Sequence, residues 1–251
     1  MSAQLIYKSI SFKTALEAWK PIAKSLVFNE YGDVLNSFTG KKLLVSSVES
    51  FLRTCRTASF NFRLGEGGIS YTQTFSKGVR YDQYLFLDLY KSQQEAEGDI
   101  KALFLDPNFL EARLFDKDFD RLQNETEIYF YEKKGVPLDS LKMRSNGFPP
   151  PLEKTIVDVS SNPCRTEYGD NVVGFIGSTM WFGSSFWEIS KSSQDEVKNL
   201  DWITFHASEN YCKVQLADRL IQKEQDIDKY KVQQFRECLY GNCTLRLPSV
   251  R

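Results

Sequence analysis

The chain predicts an α+β fold, mainly antiparallel sheet with hairpins and packed helices, and three features lead there. The stretch "TASFNFRLGEGGISYTQTFS" alternates apolar and polar residues on both sides of a turn at Gly65–Gly68, the pattern of a hairpin. Helix-spaced and strand-like runs follow one another irregularly, without the strict strand–helix rhythm of a parallel sheet. The 251 residues are 41% hydrophobic and include 19 Phe, 12 Tyr and 4 Trp, enough to bury a full core. "GFPPPLEK" (147–154) is the Pro-rich connector, so the chain reads as a single α+β domain over 1–251 or as two lobes joined near 147–154.

Taken in order, residues 3–9 suit a short strand, and a helix is expected from near Ser11 until Pro21 removes a donor and ends it. "SSVESFLRTC" opens with Ser46 and Glu49 at capping-box spacing and predicts a second helix. "YDQYLFLDLYK" reads as a third strand beside the hairpin, and 92–104 as a helix capped by Ser92. "DPNFLEARLFDKDFDRL" predicts a helix with Asp106 as N-cap and Pro107 at its first position. Phe109, Leu110, Leu114, Phe115 and Phe119 form its apolar stripe. "TEIYFYEKK" is expected as a strand, as are "TIVDVS" and "NVVGFIG". "WITFHASENYCKVQLAD" reads as a hairpin across Ser208–Asn210, and "KEQDIDKYKVQQFRECLY" as a last amphipathic helix closed by Gly241.

Few residues announce chemistry. "FDKDFDRLQNETE" places Asp116, Asp118, Asp120 and Glu127 at calcium-loop positions one, three, five and twelve. However, Arg121 occupies the position that requires glycine, and Gln123 an apolar one. His206 is the only histidine, so no triad can form without it. There is no nucleophile elbow, no paired-histidine zinc motif and no phosphate loop, and "GEGG" has neither the lysine nor the following helix of one. Cys55, Cys164, Cys212, Cys238 and Cys243 are odd in number and scattered, which suggests reduced thiols. No metal and no cofactor is expected. The opening "MSAQLIYKSISFKTALEAW" has a brief apolar stretch broken by Lys8, so a cytoplasmic chain without a membrane span is expected.

Charge is distributed unevenly. Residues 82–128 hold twelve acidic and five basic side chains, a net −7 that leaves +6 on the remainder of a chain whose total is −1. Such a segment would repel nucleic-acid phosphates and attract a basic protein surface. Asp106, Glu111, Asp116, Asp118, Asp120, Glu125 and Glu127 are therefore candidate partner-binding residues. Trp181 and Trp187 join them, because "MWFGSSFWE" clusters four aromatic residues around a Gly-Ser turn, a composition enriched at protein interfaces.

The order "GFIGSTMWFGSSFWEIS", "DWITFHASENYCKVQLAD" and "QQFRECLYG" over 172–241 resembles the layout of bacterial immunity proteins paired with polymorphic or type VI secretion toxins. The resemblance implies a non-catalytic cytoplasmic protein that binds a cognate toxin, such as a nuclease, and inhibits it. It assigns no individual residues. The alternatives are a carboxylate-based hydrolase, an adaptor, or a phage-encoded inhibitor.

Overall fold

The computed structural model describes residues 1–8, 13–23, 31–55, 58–76, 79–169 and 172–247. The expected helix start near Ser11 lies outside these residues. The described helix α1, Ala15–Trp19, begins instead at an N-cap, Thr14, whose side chain accepts from the Glu17 amide.

A ten-stranded sheet organises the molecule, and every neighbouring pair in it is antiparallel. In chain order its strands are β1 (Ser2–Lys8), β2 (Asp33–Asn36), β3 (Lys42–Leu44), β4 (Phe60–Leu64), β5 (Gly67–Ser76), β6 (Val79–Leu87), β7 (Phe109–Phe115), β12 (Thr179–Gly183), β13 (Thr204–Ala207) and β14 (Tyr211–Gln215). Two small sheets pair β8 (Met143–Ser145) with β9 (Thr155–Val157), and β10 (Glu167–Tyr168) with β11 (Val173–Gly174). In space the large sheet runs β13-β14-β12-β7-β1-β6-β5-β4-β2-β3. The predicted hairpin is β4–β5, and Gly65 turns it with φ +58°, a left-handed conformation that favours glycine. β6 pairs with β5 as its sequence suggests, and β13–β14 is the second predicted hairpin.

Opposed side chains in antiparallel pairs share a face, so the register shows what each face carries. One row reads Phe60, Tyr71, Tyr84, Leu5, Ala112, Trp181, all buried. Helices α1, α2 (Val48–Thr54) and α3 (Gln93–Ile100) pack on it through Trp19, Leu52 and Ile100. The row on the opposite face reads Asn61, Ser70, Leu85, Gln4, Arg113, Met180, Val214. Its apolar end lies under α6 (Ser184–Ser190), α7 (Gln194–Lys198) and α8 (Lys229–Tyr240). The N-terminal helices thus cover one face of the sheet, and the C-terminal helices cover one end of the other.

The structure corrects three elements. The expected helix from Asp106 is the central strand β7, with all seven residues buried, and helix α4 starts only at Lys117, ending at Asn124. β7 lies between two covered faces, so its apolar residues need not alternate, and such a run mimics a helical stripe. "TEIYFYEKK" forms helix α5, Ile128–Lys133, which buries Phe130 and Tyr131 and exposes Tyr129. That spacing suits a helix despite the aromatic β-propensity. The Ser46–Glu49 box is not made: Ser47 is the N-cap, and Glu49 binds Arg53 at 2.6 Å.

α5, β8 and β9 carry a small satellite core of Phe130, Tyr131, Val157 and Val159. The Pro-rich connector joins β8 to β9. Among the described residues no helix is long and apolar enough to cross a membrane.

Candidate partner-binding cleft

Where the sheet's second face loses its helices, α4 stands over it and leaves a cleft of about 370 Å³. Gln83, Leu85 and Leu87 of β6 form the floor, half-buried, and α4 contributes Asp120, Arg121 and Asn124 to a wall. Asp116 starts that wall: as N-cap it accepts from the Phe119 amide at 2.8 Å, so the next turn points Phe119 into the core and Asp120 toward the sheet.

Arg113 belongs to the lining and is 3% exposed. Its Nε donates to Gln4 Oε1 at 2.8 Å, and its Nη1 lies 2.7 Å from Asp120 Oδ1 and 3.3 Å from the Ile176 carbonyl. The guanidinium also lies 4.5 Å and 4.6 Å from the ring centroids of Phe115 and Phe175. A cation this deep requires those partners, because an unpaired buried charge is expensive. Asn124 fastens the rim, accepting from the Thr166 amide at 2.6 Å.

The other expected partner-binding residues are dispersed. Asp106 closes a turn by accepting from the Asn108 amide at 2.8 Å. Glu111 is fully buried, accepts from Tyr240 Oη at 2.7 Å, and is pushed by burial up to about 8, the tyrosine bond opposing that rise. Asp118 pairs with Lys134 at 3.2 Å, Glu125 with Arg121 at 3.3 Å and Glu127 with Lys154 at 2.6 Å. Trp181 is core, its ring tilted against Phe104 at 5.3 Å, and Trp187 packs half-buried on Phe182 and Phe186. Only Asp120 and Glu125 of the nine line the cleft.

The acidic segment is also compensated. Lys13 lies 2.6 Å from Asp82 and Lys213 2.6 Å from Glu97, and Lys117 binds Asp88. Lys13 and Lys213 come from outside the segment, so a count along the sequence overstates the local field.

No protein-family model matches the chain, and neither curated proteins nor solved structures give a significant match. The geometry therefore carries the functional reading.

Among the described residues no group of three or more His, Cys, Asp or Glu side chains could hold a metal ion. His206 is exposed on the edge strand β13, opposite Lys213. All five cysteines are unpaired, and burial pushes Cys164 and Cys212 up to about 12, which keeps both protonated. Sequence reasoning missed Arg113 and the bare sheet face. A signal for the face does exist: Ile69, Ser70, Tyr71 and Thr72 alternate strictly, as a strand wet on one side does.

Proposed function

We propose that the chain is a non-catalytic immunity-type protein of the cytoplasm that binds a cognate toxin, of the polymorphic or type VI secretion class, and inhibits it. What supports this reading is the second face of β4, β5 and β6, which no described helix covers and which adjoins the cleft under α4. Asn61, Ser70, Thr72, Gln83, Leu85 and Leu87 lie on it, polar with two leucines, all half-buried or exposed. A mixed surface on a rigid sheet suits reversible protein recognition. Among the described residues Glu111 is the one carboxylate raised toward neutrality, and it is fully buried.

The test uses the product of the neighbouring reading frame. Co-expression should protect cells from it, and the two purified proteins should form a complex. Thr72→Arg, at an exposed position, should weaken that complex roughly tenfold or more with no loss of thermal stability. A neighbouring product that neither binds nor is neutralised would sink the proposal. A tight complex indifferent to Thr72→Arg would move the interface elsewhere.

A further inference from the structure

We infer that the chain self-associates as a two-fold dimer through the β8–β9 arm, each copy lodging its arm in a cleft of the other. This contact lies apart from the bare sheet face.

β8 ends at Ser145 and β9 begins at Thr155, so nine residues, 146–154, join two strands that pair for only three positions. Antiparallel strands need a turn of about two to five residues. The surplus forms a projecting arm in which every residue from Gly147 to Thr155 is exposed. Phe148 is 43% exposed and Leu152 68%, with Pro149, Pro150 and Pro151 between them.

The arm is held in shape at its base. Asn146 donates its amide to the Lys154 carbonyl at 2.9 Å and its Nδ2 to the Leu152 carbonyl at 3.0 Å, while its Oδ1 accepts from the Phe148 amide at 3.2 Å. Glu153 accepts from Ser145 Oγ at 3.2 Å, and Lys154 binds Glu127. An apolar tip fixed in water gains nothing for the fold, and its order makes docking less costly in entropy.

The receptor lies at the other end of the same ladder. A cleft of about 570 Å³ opens there, with Leu122, Tyr131 and Leu141 among its apolar lining and Lys142, Lys223 and Lys229 among its polar lining. Three ladder positions span roughly 10 Å, so arm and cleft fall within one interface footprint. A surface with a knob and a matching hollow is self-complementary, and two-fold symmetry fills both hollows at once. Asp158 and Glu224 in the same lining pair with Lys142 and Lys229, which leaves Lys223 as the lysine that Glu153 on the arm would meet. A second copy is therefore the occupant that matches both features.

Sedimentation of the intact chain over a concentration series should give a monomer–dimer equilibrium. Phe148→Ser with Leu152→Ser, both at exposed positions, should raise the dissociation constant roughly a hundredfold while leaving the melting temperature of the dilute, monomeric chain unchanged. Glu153→Lys and Lys223→Glu should each weaken the dimer, and mixing the two variants should restore it, because each arm then meets an opposite charge. A chain that stays monomeric throughout overturns the inference. So does a dimer untouched by the double serine variant, or charge variants that fail to rescue one another.

Discussion

Arg113 and Glu111 alternate with apolar neighbours on one buried strand, and their partners decide what each tolerates. Asp120→Ala would strip the buried guanidinium of its carboxylate and should cost about 3 kcal/mol in denaturant unfolding. Asp118, 67% exposed, faces solvent beside Lys134 and does no such work. Asp118→Lys should leave stability within about 0.5 kcal/mol. On the proposed toxin-binding role, the variant should slow association with a basic toxin surface, more at low salt than at high salt. An affinity unchanged at low salt would remove the acidic contribution. Glu111 brings a pH dependence whose sign follows from its raised value. The folded chain holds this proton more tightly than the unfolded chain, for which the ordinary value is 4.5. Its stabilising contribution is full below 4.5 and is lost as the pH rises through about 8. Glu111→Gln stays neutral and keeps an acceptor for Tyr240. Wild type should therefore lose roughly 3–5 kcal/mol relative to that variant as the pH climbs across this window. Parallel melting curves would show that Glu111 does not titrate there.

Elements are fixed by caps and close approaches more than by propensity. α4 is polar apart from Phe119 and Leu122, and its start rests on Asp116. Asp116→Ala should destabilise the fold by about 1 kcal/mol and loosen the wall of the 370 Å³ cleft, seen as faster amide exchange across Lys117–Asn124. Gly183 links β12 to α6 where the chain brushes β7, and a Cβ there would lie 2.2 Å from the Phe109 carbonyl oxygen. Gly183→Ala must push two central strands apart and should cost at least about 2 kcal/mol, read from its denaturation midpoint. The helix–strand exchange around residue 109 belongs at this scale too. "FLEARLF" carries apolar groups on both sides, which a helix stripe and a doubly buried strand both accept, so periodicity alone cannot choose.

At the scale of the molecule, the N-terminal helices cover one face of the sheet from β4 to β12, and the C-terminal helices cover only the β12–β14 end of the other. This arrangement leaves the surface of β4–β6 open and sets a cleft at its seam. The hairpins β4–β5 and β13–β14, the strand β6 and the helix α3 were legible, because each is specified locally by alternation, a glycine turn or a serine cap. The site was far less legible. Seven carboxylates that share a segment in sequence are separated in space: Glu111 goes to the core, Asp106 to a turn, and Asp118 and Glu127 to lysine partners. The sequence by itself determined the α+β class, the antiparallel hairpins and the amount of apolar material, since these follow from nearest-neighbour patterns along the chain. Only the tertiary structure decided that β7 is a central strand, that distant lysines pair with part of the acidic segment, and that no described helix covers the second face of β4–β6. Those outcomes depend on residues a hundred positions apart meeting in space, and no local pattern encodes which of them will pair.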